Sequence, residues 1–403
     1  VTPLPEPTGP LKGLRLIELG ALLAGPFCGQ LMGDMGAEVI KIEPPGQPDP
    51  LRDWGQFKPD GQSLWFPIVA RNKRCATLDL RQPEGQATLK DLVAKSDFLL
   101  ENFRPGVMEK WGLGYETLKK INPGLIMIRV SGYGQTGPYA SKAGYASVGE
   151  AMGGLRAVIG EPDRKPARAG ISIGDSLAAV YAAFGALAAL HQRDKTGEGQ
   201  VVDSAIYESV LAMMESLIPE YQFGGHIRER TGPVLPKIAP SNIYDAADGE
   251  VIIAANQNTV FERLAAAMGR PEMARDPRFA THVARGEAQE ELDLIVNDWS
   301  KTKSMAELEA ICDEAGVPFG RIYRAPEMLA DPHFAARQAI IDAVHPVLGA
   351  FKMQNVFPKL SATPGLVRWS GRAIGEDNAY VFGELLGYDD THITELRSKK
   401  VIG

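Results

Sequence analysis

Leu14-Arg15-Leu16-Ile17-Glu18-Leu19-Gly20 and Ala37-Glu38-Val39-Ile40-Lys41-Ile42-Glu43 are the two stretches whose reading decides the fold. Each is a short apolar run of strand length. Between them, Pro26 to Met35 reads as a helix: Pro26 suits the first turn, where a missing N–H costs nothing, and Gly36 can close the last. Strand, helix and strand within about thirty residues make a βαβ unit, which is parallel and right-handed.

Working outward, the alternation continues. Helix Pro83 to Lys95, strand Phe98-Leu99-Leu100, helical stretches over Pro105 to Trp111 and Tyr115 to Lys120, and strand Leu125 to Val130 follow in order. This pattern predicts an α/β domain with a mostly parallel, Rossmann-like sheet. Two long helices are then expected, near Ser176 to Arg193 and Ser204 to Ile218, with the alanine-rich run Leu177 to Leu190 read as a buried helix. From Gly224 to Pro240 the texture becomes polar and irregular, and a fresh α/β pattern begins at Ser241. The expected organisation is a large domain over residues 1–222, a smaller α/β domain with its linkers over 223–324, and a C-terminal part over 325–403 that returns to the large domain.

At 403 residues the chain exceeds one ordinary core, and 44% apolar with 23% charged residues is ordinary globular composition. A net charge of −7 with both signs interleaved argues against a nucleic-acid binder, whose cations would gather on one face. Cys28, Cys75 and Cys312 are far apart, without metal or CxxC spacing, and no signal peptide is evident, so a reduced, cytoplasmic setting is expected, with neither metal nor membrane.

Several motifs compete. Gly132-Tyr133-Gly134-Gln135-Thr136-Gly137 is GxGxxG, but no helix opens after it, so it reads as a turn at a strand end. Gly170-Ile171-Ser172-Ile173-Gly174 matches GxSxG, which would make Ser172 the nucleophile of a serine hydrolase. The proline- and arginine-rich loop before it is not the required strand, and His345 and His392 are available by chain order only. Asp175 stands just before the apolar helix. One reading is a plain N-cap; the other is a carboxylate nucleophile, ionised by the helix N-terminus and close to spare N–H groups that can meet an oxyanion.

Ala24-Gly25-Pro26, Gly36 to Glu43, Asn72-Lys73-Arg74 before Leu78-Asp79-Leu80, Glu101-Asn102-Phe103-Arg104-Pro105-Gly106, Ser131 to Tyr139, Gly174-Asp175-Ser176 and Lys195-Thr196-Gly197-Glu198-Gly199-Gln200 occur in this order. Together they resemble the class III CoA-transferases, the CaiB/BaiF family, whose members include formyl-CoA and carnitine CoA-transferases. The resemblance implies that Asp175 is the acyl-accepting aspartate, passing through an aspartyl anhydride and an aspartyl-CoA thioester. It implies CoA contacts at Asn72, Lys73, Arg74, Asn102, Phe103 and Arg104, residue types suited to phosphates and an adenine face. It also implies acyl-CoA and a small carboxylic acid as substrates, no permanently bound cofactor, and two chains interlocked as a homodimer.

Family members that are α-methylacyl-CoA racemases use a histidine where this chain has Tyr145, a poor base at neutral pH. Oxalate-using members carry glutamine where this chain has Leu23. Succinyl-CoA is the expected donor and a dicarboxylate the expected acceptor. Arg228, Arg230 and Lys237 are candidates for its distal carboxylate, and Gly224 and Gly225 for a mobile cover.

Overall fold

The computed structural model describes residues 5–403. Its described residues divide into two compact units: 5–155, 169–224 and 333–403 in the first, and 156–168 with 225–332 in the second. The segment 156–168, expected in the large domain, groups with the smaller one instead.

The first unit is built on a six-stranded sheet in the order β3-β2-β1-β4-β5-β6, every pair parallel. Its strands are β1 (Arg15–Glu18), β2 (Glu38–Glu43), β3 (Lys73–Thr77), β4 (Phe98–Glu101), β5 (Ile126–Ser131) and β6 (Val201–Ala205). The order in which strands are added reverses between the parallel neighbours β1 and β4, so their carboxyl ends open a crevice of the kind that binds ligands in doubly wound sheets. The strands read as continuous apolar runs because both faces are covered. Leu16, Val39, Phe98, Leu100, Ile126 and Ile128 face α1 (Ala24–Asp34) and a long helix, Ile173–Thr196. Ile17, Ile40, Leu99 and Met127 face α2 (Pro83–Ala94) and the C-terminal segment through Leu89, Val93, Phe382 and Leu396.

After β5 come α3 (Ala146–Met152), α4 (the helix Ile173–Thr196), β6 and α5 (Ile206–Leu211). Helix α4 starts three residues earlier than the sequence suggested, with Ser172 at the N-cap and Asp175 in the first turn. Strand β6 takes the first two residues of the helix expected over Ser204 to Ile218: Ser204 and Ala205 pair with Val130 and Ser131, and pairing with a sheet outweighs local helical propensity. The run read as a buried helix is buried on one side only. Ala178, Ala179, Ala182, Ala186 and Ala189 face inward, while Val180, Phe184 and Leu187 face out, Phe184 at 69% exposure.

The second unit is a three-stranded antiparallel sheet of Ser241–Ala246, Gly249–Ala254 and Phe319–Arg321, packed with helices over Val251, Ile253, Phe261, Leu264, Leu292 and Leu308. Arg285, fully buried, donates to the carbonyls of Ala239, Phe279 and Asn256 and to Asn258 Oδ1.

The C-terminal segment protects the β3 edge. Asp377 Oδ2 accepts from Cys75 N at 2.8 Å, Asn378 Oδ1 accepts from Thr77 N at 2.8 Å, and Asp377 N donates back to Cys75 O at 2.9 Å. Side chains thus pair the donors that an edge strand leaves open. Asp377→Ala orphans the buried Cys75 N–H and removes a partner of Arg74 and Arg372. A loss of about 1–3 kcal/mol is expected, read as a lower urea midpoint with unchanged secondary structure at low denaturant.

Candidate active site

The site is set by charges buried beneath the sheet's carboxyl edge. Glu18, at the end of β1, is fully buried and receives Lys73 Nζ at 2.7 Å and Lys41 Nζ at 3.2 Å. Lys41 also meets Asp49 Oδ2 at 2.8 Å and donates to Gly20 O at 2.8 Å. Burial pushes Lys73 below the usual lysine range. Burial acts on Lys41 too, but Glu18 and Asp49 together outweigh it and raise its pKa.

This network shapes the loop that leads into α1. Asp49 Oδ1 accepts from Leu22 N at 3.0 Å, and Leu22 sits at φ +66°, a left-handed conformation unusual for leucine. Asn102 clamps the same loop from the next strand, accepting from Ala21 N at 3.0 Å and donating to Ala21 O at 2.8 Å. Loop 20–23 is therefore fixed from two sides.

Beside the loop lies a crevice of about 340 Å³ at the carboxyl ends of β1 to β4, walled by Gly20, Ala21, Leu78, Arg81, Phe103 and Trp111. Phe103 meets Trp111 edge-on at 5.4 Å, and Arg104 next to it is exposed. Of the six residues expected to contact CoA, Phe103 lines this crevice and Arg104 is its exposed neighbour in sequence. Asn72, Lys73 and Asn102 have different work. Asn72 donates to Asp34 Oδ1 at 2.8 Å and Leu366 O at 2.9 Å and accepts from Arg368 N at 2.7 Å, while Lys73 spends its charge on Glu18 and donates to Pro26 O at 2.6 Å. Asn72 and Lys73 are buried, and all three side chains are engaged within the protein. Arg74 pairs with Glu38 and Asp377 and stacks over Tyr380.

Leu78 to Arg81 and Trp111 were missed as site residues. A signal was available for Leu78 to Arg81: the stretch directly follows the carboxyl end of a parallel strand, the side on which such sheets bind ligands.

The second feature is the first turn of α4. Asp175 is half-buried there, between Ser172 and Ser176, and these two serines line a cavity of about 540 Å³ together with Leu23, Phe27, Trp65 and Ile68. Leu23 and the Asp175 turn, far apart in sequence, are thereby brought to one space. Arg71 reaches this cavity with its charge spent: it pairs with Asp34 at 2.6 Å and donates to the carbonyls of Gln354 and Asn355. The wall is therefore mostly apolar.

Tyr145 caps α3 and is 69% exposed. Gly224 ends the first unit and Gly225, at φ +65°, opens the second. Arg230 donates to the carbonyls of Glu161 and Pro162, and Lys237 pairs with Glu287 at 2.7 Å, so these two have protein partners already. No strand precedes Ser172, which is the helix N-cap, and His345 Nδ1 is met by Val347 N and Leu348 N; the nucleophile-elbow geometry is absent. Residues 132–145 run as a loop without the helix a dinucleotide fingerprint requires. Among the described residues no three His, Cys, Asp or Glu side chains gather as a metal site would need.

A sequence model of CoA-transferase family III matches residues 11–378. A succinyl-CoA–D-citramalate CoA-transferase of Chloroflexus aurantiacus is 62% identical over 98% of this chain and 99% of its own. The β subunit of a succinyl-CoA–L-malate CoA-transferase of the same organism is 40% identical over 98% of each chain. Among solved structures, a CaiB/BaiF family protein from Brucella suis is similar with a TM-score of 0.82, at 35% identity, over 94% of this chain and 100% of that one.

The scaffold role of Lys73 has a direct check. Lys73→Met leaves Glu18 buried with half its countercharge, and a stability loss of roughly 3–5 kcal/mol is expected in guanidinium denaturation.

Proposed function

The chain belongs to CoA-transferase family III, and from that premise we propose that it transfers CoA from succinyl-CoA to a small branched dicarboxylate of the citramalate type, with Asp175 as the acylated nucleophile. The observation that carries this reading is the placement of Asp175. It lies in the first turn of α4, where the helix end favours its ionised form, beside a cavity shared with Leu23.

In this mechanism the Asp175 carboxylate attacks the thioester carbonyl of succinyl-CoA. The C–S bond breaks, and a mixed succinyl-aspartyl anhydride and CoA thiolate result. The thiolate attacks the aspartyl carbonyl, releases succinate and leaves an aspartyl-CoA thioester. The acceptor carboxylate then attacks that thioester to give a second anhydride and thiolate. Attack of the thiolate on the acceptor's acyl carbon yields the new acyl-CoA and restores Asp175. Every intermediate on Asp175 is open to hydrolysis, so water must be kept out between the half-reactions. The apolar wall of Leu23, Phe27, Trp65 and Ile68 suits that need and leaves room for a methyl branch.

The CoA nucleotide is assigned to the crevice at the β1/β4 reversal, where Phe103 and Trp111 offer ring faces and the cations at hand are Arg81, paired with Asp79, and the exposed Arg104 next to Phe103. The protein is proposed to act as a cytoplasmic homodimer. The outward Val180, Phe184 and Leu187 of α4 present an apolar face that a second copy would cover.

Incubation with succinyl-CoA followed by mass analysis tests the chemistry. A succinyl or CoA adduct on the Asp175 peptide is expected in the wild type and none in Asp175→Ala, with turnover reduced at least about 10⁴-fold. Absence of any adduct together with unimpaired turnover in Asp175→Ala removes the proposed nucleophile. Phe103→Ala is expected to weaken CoA binding by roughly tenfold in calorimetry, the loss of one base-stacking face.

A further inference from the structure

Glu150, in the middle of α3, is a carboxylate with no exposure to solvent, and the chemistry above does not use it. Its Oε1 accepts from Gly174 N at 3.4 Å, the residue immediately before Asp175. Ser172, at the N-cap of α4, makes no side-chain capping bond, so this helix end lacks the usual local acceptor for its open N–H groups. Glu150 supplies one from a neighbouring helix.

The packing around it admits little alternative. A Cβ at Gly174 would stand 3.1 Å from Glu150 Cγ, 3.1 Å from Ile206 Cγ2 and 3.2 Å from Ala146 O. A Cβ at Gly149 would stand 2.5 Å from Ile206 Cγ2, and one at Gly153 would stand 2.7 Å from Tyr207 O and from Val210 side-chain atoms. Glycines on α3 and α4 thus let α3, the start of α4 and α5 approach nearly backbone to backbone, with the Glu150 carboxylate enclosed among them.

We propose that Glu150 is a positioning residue: it holds the first turn of α4 so that the Asp175 carboxylate keeps one orientation through the cycle. The need follows from the reaction. Asp175 carries a negative charge when free and none when acylated, so its own attraction to the helix end comes and goes with each half-reaction. A second carboxylate bonded to the adjacent peptide N–H stays in place throughout. This rests on the reading of Asp175 as the acylated residue.

Two near-isosteric variants separate positioning from mere support of the fold. Glu150→Gln keeps an oxygen acceptor for Gly174 N–H. Glu150→Met keeps the volume and removes the acceptor, leaving the buried Gly174 N–H unpaired at a modest cost to the fold. The expected result is a Glu150→Met protein that folds with a moderately lowered unfolding midpoint and wild-type CoA affinity. Its turnover should fall about 10²-fold, the effect of a misplacement near 1 Å at a reacting group, and its Asp175 adduct should form slowly. Glu150→Gln should recover turnover to within about fivefold of wild type. Turnover in Glu150→Met within threefold of wild type overturns the inference, as does failure of Glu150→Gln to rescue, or a Glu150→Met chain that does not fold. In each of those cases a wild-type adduct on Asp175 leaves the nucleophile assignment standing; absence of that adduct in the wild type removes the assignment itself.

Discussion

One carboxylate, Glu18, is shared by two buried lysines, and the geometry of the candidate site hangs from that arrangement. Three charges in an apolar interior would be untenable alone; Asp49 makes the group neutral, and each lysine also donates to a backbone carbonyl. The consequences are local and steric. A Cβ at position 29 would lie 1.9 Å from Glu18 Oε2, so α1 must present Gly29 where it crosses the carboxylate. Lys73 reaches Pro26 O in the first turn of the same helix, so β1, β3 and the start of α1 are tied at one point. Asp49, held by Lys41, in turn sets the left-handed Leu22 and hence where Leu23 points. A buried ionic group of this kind adds little net stability over an apolar core of similar volume. What it supplies here is a fixed loop between the crevice and the cavity.

The two spaces it separates differ in chemistry in the way the proposed transfer requires. The crevice at the strand reversal has rings and cations on its rim, while the cavity near Asp175 has an apolar wall whose one guanidinium is already satisfied. A neutral wall favours reaction of a carboxylate with a thioester over its hydration, since fixed dipoles at the helix end replace mobile water.

Much of the fold was legible in the sequence because its signals are local. The βαβ start, the apolar strands and the closing glycine of α1 each depend on a few neighbouring residues. The family resemblance rested on the same short motifs, and the matched residues 11–378 cover nearly all of them. What could not be read was which polar residues face inward. Asn72, Lys73 and Arg74 form one run of ligand-like side chains, yet the partners that claim the first two, Asp34 and Glu18, lie 38 and 55 residues away. Nothing in the run itself distinguishes a lysine that meets a phosphate from one that meets a buried glutamate. The register of α4 failed for a related reason: Asp175 is a good N-cap by type, but the acceptor at that helix end comes from Glu150 on another helix, and the turn begins at Ile173. The segment 156–168 was likewise assigned by sequence proximity, whereas its hydrogen bonds run to Arg230 and Gly232.

Helix α4 shows how two demands can be met by one run of residues. By length and mean hydropathy alone, Ile173–Thr196 would pass as a membrane span. Its alanines, however, lie against β5, β6 and α1, where only a small side chain lets helix and sheet approach closely enough to place Asp175 at the cavity rim. A span in lipid would expose apolar residues on every side, whereas this helix is already packed on one. The large residues left outside therefore call for a protein surface, and the proposed second copy supplies one. Small residues inward and large residues outward invert the usual core pattern, and the inversion follows from two separate contacts. Under the proposed function, the alanine face is set by the close packing that positions Asp175, and the exposed Val180, Phe184 and Leu187 face by assembly. The proposed catalytic geometry and the proposed association would then lie on opposite sides of the same helix, and a substitution on one side could alter either without passing through the other.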